Sequence, residues 1–287
     1  LLSRRQRQMC IRDRDTIHIS SVEDLLKLSE ACKYDAYSRD KTVVLDSDLD
    51  LTETGYVPIP TFGGTFDGQG HTISGLSLDG DGAHMGLFRY VQEGGTVKNL
   101  TVTGNVDSAG TMSEIGAIVG TNMGTITGCT FSGTISGASN VGGIAGTNEA
   151  TGMIYNCKTE GYVAGDHYVG GTVGQNLGTV SYCSNTAGVN INASDSASAA
   201  TESLDDLALL SDDSDDEEET KKANTATDVG GIVGFSSGVI IGCTNWGNVG
   251  FQHVGYNIGG VVGRQSGLVS GCTNWGTAYG RKDVGGI

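Results

Sequence analysis

Short runs rich in Val, Ile and Thr recur along this chain, bounded by Gly, Asn and Ser, and one glycine-rich phrase punctuates them at near-constant spacing. It reads IGAIVGTN from Ile115, VGGIAGTN from Val141, VGGTVGQN from Val169, VGGIVGFS from Val229, IGGVVGRQ from Ile258 and VGGI from Val284. The starts lie 26, 28, 60, 29 and 26 residues apart, a period that marks an architecture built by stacking one small unit. Each unit has a second half with its own signature, as in GTITGCTFSG, GTVSYCSNTAG and GVIIGCTNWG. Cys129, Cys183, Cys243 and Cys272 fall 14 residues after the phrase begins, and Cys157 falls 16 after because its unit carries the extra residues of NEATG. A degenerate copy runs from Met85 through GTVKNLTVTGNV, with Leu100 in the cysteine's place. The count is six units and the start of a seventh.

Runs of this length and composition predict strands rather than helices. A short strand cannot bury its apolar face alone, but a three-strand coil stacked on identical coils closes a continuous core and pairs every backbone group with the rungs above and below. The predicted fold is therefore all-β, a right-handed parallel β-helix, the hand following from strand twist. Seven rungs would span roughly 30 to 35 Å. An apolar residue three before the cysteine (Val97, Ile126, Ile154, Val180, Ile240, Val269) breaks simple alternation and predicts a corner between the two. Two after it, Val102, Phe131, Thr159, Asn185, Asn245 and Asn274 are expected inside, the asparagines forming a hydrogen-bonded stack. Three after it, Thr103, Ser132, Glu160, Thr186, Trp246 and Trp275 are expected outside.

The chain outside the repeat divides differently. Residues 1–14 hold five arginines, share no pattern with the rest and resemble translated sequencing-adaptor read-through, so they are set aside as a spurious or disordered leader. Residues 15–84 read as an N-terminal cap with the first β rungs. Ser21 would N-cap a helix over about 21–35, covering the open end of the stack, and TVVLDSDLDL would follow as a strand. Residues 85–287 read as the β-helix, interrupted at 193–228 by an insertion with twelve acids and two lysines. Low apolar content and like-charge repulsion predict disorder there in preference to a calcium loop, whose alternating ligands are missing. The chain stops inside a repeat and is expected to be a fragment.

Composition agrees with a narrow coil: 47 glycines against 2 prolines, and 6% aromatics. The net charge of −16 argues against nucleic-acid binding. No apolar run is long enough to span a membrane.

The V-G-G-I-V-G opening, the I-x-x-C half and the closing glycine are similar to the GLUG repeat of large bacterial surface proteins. TVVLDSDLDL, PIPTFGGTFDGQGHTISGL and GLFRYV look like the capping region that precedes such repeats. The resemblance implies a secreted or cell-wall-attached protein, as in adhesin-like proteins and the non-catalytic part of IgA-protease-type zinc metallopeptidases. It transfers no catalytic residue.

Candidate chemistry is sparse. Cys129, Cys157, Cys183, Cys243 and Cys272 occupy equivalent positions, so a buried ladder of small apolar thiols is preferred to disulfides, while Cys32 belongs to the cap helix and Cys10 to the leader. No C-x-x-C or H-E-x-x-H occurs, and no metal or cofactor is expected. His71, near Asp67 in DGQGHTISG, reads as a histidine bonded to a turn backbone, and Asp46, Asp48 and Asp50 read as solubilising charge alternating along one strand. Trp246 and Trp275 are the candidate ligand-binding residues, since stacked exposed rings would present a flat apolar ribbon to sugars; shielding of a turn, or contact with a neighbouring domain outside this sequence, is the competing role. The functional expectation is a non-catalytic adhesin or stalk meeting a glycan or a host or matrix protein. The alternatives are a carbohydrate-active β-helix enzyme, of lyase or hydrolase type, and a spacer in a larger secreted zinc metallopeptidase. The first would need a groove lined by Asp, Lys and Arg, and Arg264, Arg281 and Lys282 are the main cations of the repeats.

Overall fold

The computed structural model describes residues 16–80, 83–108, 113–192 and 226–287, so the leader at 1–14 and the acidic insertion up to residue 225 lie outside the described residues. The chain is a β-solenoid of about eight turns. Each full turn passes through three sheets, here A, B and C, with the sheet-B segment divided into two or more strands in some turns, and every pairing between their strands is parallel. Sheet A stacks nine strands in sequence order, from Thr16–Ile19 and Thr42–Leu45 through Met153–Tyr155 and Thr179–Ser181 to Val239–Ile241 and Leu268–Ser270. Sheet C stacks seven, from Ile59–Phe62 to Val262–Gln265. Sheet B is the longest face, carried in mid-stack by Thr130–Gly142 and Lys158–Gly170.

Register is kept residue for residue. Thr125, Met153, Thr179, Val239 and Leu268 stand above one another in sheet A, and Asn185, Asn245 and Asn274 do so in sheet B. The stack is continuous across the cap and the repeats, because Thr65–Asp67 pairs with Thr96–Lys98 in the same ladder. It is also continuous across the insertion: His167 pairs with Thr227 and Val169 with Val229. Thr227 and Asp228, counted with the insertion in the sequence, thus belong to the strand Thr227–Gly230.

The core is one inward-facing residue per strand, repeated. Ile126, Ile154, Val180 and Ile240 line it from sheet A, and Val119, Ala145, Val173 and Val233 from sheet C, all fully buried. Each such burial contributes about 1.5–3 kcal/mol for a Val or Ile side chain. Where early turns are wider, Phe62, Phe66 and Phe88 fill the space, with ring centroids 5.3 to 6.2 Å apart.

The corner inferred before each cysteine is a single residue in the left-handed region. Asn99, Gly128, Asn156, Tyr182, Gly242 and Gly271 have φ between +51° and +63°, which Asn and Gly tolerate and Tyr does not without cost. The second glycine of the repeated phrase has another cause. A Cβ on Gly171, Gly231 or Gly260 would sit 2.1 to 2.5 Å from the amide of Asn185, Asn245 or Asn274. The coil is so thin there that a side chain from sheet B fills the space a side chain from the opposite wall would need.

Those asparagines form one internal ladder: Asn185 Nδ2 donates to Asn245 Oδ1, and Asn245 Nδ2 to Asn274 Oδ1, both at 2.9 Å. A second ladder, absent from the sequence reading, runs along sheet C from Asn122 to Asn148 to Asn176 at 2.8 Å per step and ends on Ser236 Oγ at 3.0 Å. Each amide also closes the backbone beside it, as Asn122 does with Gly124 N and O at 3.1 Å. The buried amides of these two ladders thereby find protein partners.

Two expectations change. TVVLDSDLDL is two strands, Thr42–Leu45 in sheet A and Leu49–Asp50 in sheet B, with the chain turning between them. The three aspartates therefore do not alternate along one strand. The helix is Val22–Ala31, shorter than 21–35. Ser21 caps it, accepting from Asp24 N at 3.2 Å, but no basic residue in the last turn offsets the carbonyl end, and the chain passes into turns from Cys32. The helix buries Leu25 and Leu28 and packs on the first strands of sheets A and C.

Replacing Gly231 by Ala should lower stability by about 1–3 kcal/mol through overpacking, read as the urea midpoint. The control is Gly285→Ala, whose Cβ would meet nothing within 4 Å. Equal midpoints for the two variants would contradict the tight wall.

Candidate functional site

The five repeat cysteines stand at the first corner of successive turns. Cys129, Cys157, Cys183 and Cys243 are buried and Cys272 is half-buried; all are free thiols. Their environments repeat to a tenth or two of an ångström. Each Sγ lies 3.4–3.5 Å from the carbonyl two residues back and 3.7–3.9 Å from a sheet-A carbonyl of the turn below. A thiol suits this place because it packs as a small hydrophobe and is also a weak donor to corner carbonyls. Neighbouring thiols interact in turn. The contact with Cys183, with burial, pushes the Cys243 thiol up to about 12. Burial first, then the contact with Cys129, raises Cys157 well above the usual thiol range. The contact with Cys157 does the same for Cys183. Such thiols are poor nucleophiles and poor metal ligands.

The histidines are held one by one. His18 Nδ1 lies 3.0 Å from Asp46, and His71 Nδ1 lies 3.0 Å from Asp48 Oδ1. His84 pairs with Glu114 and stacks on Tyr90, and His167 meets Thr227 Oγ1 at 2.9 Å. His71 thus bonds a carboxylate rather than its turn backbone, because the corner of the turn below brings Asp48 under it. The Thr72 amide and then His71 hold Asp48 below the usual carboxylate range. Asp67 instead takes Lys98 at 3.1 Å and Asn99 Nδ2 at 3.2 Å. Among the described residues no three His, Cys, Asp or Glu side chains converge as a metal site.

The two arginines among the repeat cations are likewise engaged. The Arg264 guanidinium lies 4.7 Å from the Phe235 ring centroid, donates to Tyr168 Oη at 3.1 Å and meets Asp228 at 3.5 Å. Arg281 lies over Tyr256. Neither lines an open groove.

Trp246 and Trp275 are on the outer face of sheet B, 55% and 66% exposed. The strands below place Asn245 and Asn274 inward, which forces the following residue outward. The two indoles are 5.5 Å apart at 15°. Near-parallel indoles that close cannot lie side by side in one plane, so they overlap face to face with an offset. The surface they present is therefore one ring face and two largely apolar ring edges, each with one N–H, rather than the flat ribbon anticipated from sequence. Two further exposed aromatics escaped the sequence reading: Tyr155 and Tyr182, edge to face at 5.7 Å. They sit at different places in their units, so reading down one column misses them. What could have found them is the corner itself, where Tyr182 takes a position that Asn and Gly fill in the other repeats.

The GLUG motif matches residues 137–163, which span the end of one long sheet-B strand, a sheet-C strand, a sheet-A strand and the beginning of the next sheet-B strand. With the parallel stack, this is a GLUG-repeat β-helical region. The chain is 32% identical over 153 residues to halomucin of Haloquadratum walsbyi, covering 47% of this chain and 2% of that protein. It is 35% identical over 94 residues to a "Putative Gly-rich membrane protein" of Evansella cellulosilytica, covering 29% of this chain and 11% of that one. It thus spans a small part of both relatives. The crystal structure of a "putative immunoglobulin A1 protease" from Bacteroides ovatus shares the fold, with a TM-score of 0.54 and 16% identity over 92% of this chain and 67% of that chain. At that identity the likeness shows architecture alone.

Iodoacetamide at pH 8.5 should leave Cys129, Cys157, Cys183 and Cys243 unmodified in the folded protein and label all four in urea, read by peptide mass spectrometry. The raised folded values of Cys157, Cys183 and Cys243 mean that the native state holds those three protons more tightly than the unfolded chain does. Their contribution to stability is full below the ordinary thiol value of 9.0 and is lost as pH rises through about 12, the value for Cys243. A melting temperature flat from pH 8 to 11.5 would contradict this.

Proposed function

We propose that this chain is the non-catalytic, rod-forming repeat region of a bacterial cell-surface or secreted protein, acting as an adhesin or stalk toward a host, matrix or glycan ligand. The observation that carries the reading is the Trp246–Trp275 pair. In a column where the other turns carry Thr103, Ser132, Glu160 and Thr186, two consecutive turns carry large aromatic rings that are more than half exposed and stacked on each other. Exposed aromatics in contact with one another on a rigid face mark a binding surface. The GLUG motif and the similarity to halomucin and to a glycine-rich membrane protein support a surface location. A metallopeptidase spacer would use the same rod and differ in what is joined to it. The lyase or hydrolase reading gains no support from the cations, since Arg264 and Arg281 are spent on Phe235, Tyr168, Asp228 and Tyr256.

Beads coated with the full chain should adhere to epithelial monolayers or matrix-coated plates above albumin-coated beads. The double variant Trp246→Ala/Trp275→Ala, with an unchanged circular dichroism spectrum, should fall to the albumin level. Adhesion no better than albumin for the unmutated chain would remove the adhesin role.

A further inference from the structure

Tyr155, Tyr182, Trp246 and Trp275 come from four consecutive turns, and the last two turns carry a second exposed aromatic farther along the chain, Phe251 and Tyr279. Sheet A orders those turns without a gap, through Met153–Tyr155, Thr179–Ser181, Val239–Ile241 and Leu268–Ser270. The rings move sideways as they climb. Tyr155 ends a sheet-A strand, Tyr182 is the corner of the next turn, and the tryptophans follow the corner by four residues, on sheet B. Contacts join them in pairs, at 5.7 Å for the tyrosines and 5.5 Å for the tryptophans. Between the pairs the floor is backbone: the Tyr182 ring lies against Gly242, where a Cβ would come within 2.8 Å of it. The axial span is roughly 14 Å at the parallel-strand spacing.

We infer that this diagonal is a binding track for an uncharged, extended polysaccharide lying across the turns at the sheet A–sheet B corner. The inference rests on the surface-binding reading above and names its ligand class. Charge selects that class. The stretches 153–160, 179–186, 239–246 and 268–275 contain two charged residues, Lys158 and Glu160, and these pair with each other. The strip is therefore neutral on a chain of net charge −16, which repels polyanions. Its polar lining is hydroxyl and amide, from Thr186, Thr244, Asn248 and Thr273. Such groups exchange hydrogen bonds with sugar hydroxyls while the ring faces and edges take the apolar C–H faces of the sugar. Ligand and site are matched in repetition as well. One track aromatic per turn suits a linear polymer of similar units and gives a compact protein epitope no equivalent foothold.

The chain's two tryptophans both lie on this track, so intrinsic emission reports on it alone. The full chain would be titrated with hydroxyethyl cellulose, galactomannan and dextran, and with polygalacturonate as the polyanion. Binding is expected as a saturable emission change with at least one neutral polymer, stronger for its longer fragments, and as none with polygalacturonate. Tyr155→Ala and Tyr182→Asn keep both reporters; asparagine already fills the same corner at Asn99 and Asn156. Each variant should weaken binding about fivefold, in keeping with the loss of one ring contact. Silence with all three neutral polymers, equal response to polygalacturonate, or unchanged affinity in both tyrosine variants would overturn the track. Beads that still adhere while all polymers are silent would sink the ligand class and leave the adhesin reading intact; failure of both would sink both.

Discussion

Parallel strands stacked in register are the constraint on which everything else rests. A strand of three or four residues has no stability alone, and its backbone donors and acceptors find partners only when the next turn arrives at the same height. Register then decides side chains too, because whatever residue suits one turn is met by its counterpart above and below. Like side chains must tolerate one another at strand spacing. Valine and isoleucine do so by packing, asparagine by passing a hydrogen bond along the column from Asn122 to Ser236 and from Asn185 to Asn274, and cysteine by being small. A charged residue in such an inner column would meet its own kind with no water to separate them.

The same constraint explains which features could be read from the letters. Period and composition gave the solenoid, since few other folds repeat V-G-G-I-V-G every 26 to 29 residues. The inward asparagines after the cysteine were legible because strand alternation fixes their side. The sheet-C ladder was equally regular, with Asn122, Asn148 and Asn176 each seven residues after the phrase begins, yet asparagine after a glycine-rich stretch reads as a turn residue. Only the structure shows it folded inward over Gly124 or Gly152.

Errors fell at the corners of a turn and at contacts between turns. TVVLDSDLDL looked like one strand because its pattern alternates, but a coil this narrow must bend every few residues, and Asp46 and Asp48 mark the bend. The partner of His71 was invisible for a related reason, Asp48 being 23 residues away and one turn below. The aromatic diagonal crosses columns, so the alignment that exposes the repeat hides it. Spacing in adjacent turns placed Trp246 and Trp275 in a stack, and the offset between their rings is what it left open.

Asn192 and Ala226 flank the acidic stretch of the sequence. On its far side the strand pairing has Val169 opposite Val229, the same alignment of the repeated phrase found at uninterrupted turns, such as Val141 opposite Val169. The break lies within the sheet-B wall and not at a corner, because Val163 and His167 of the single strand Lys158–Gly170 pair with Val189 and Thr227 on its two sides. Alignment of the coil is therefore enforced by the neighbouring turn and does not need an unbroken chain along the wall.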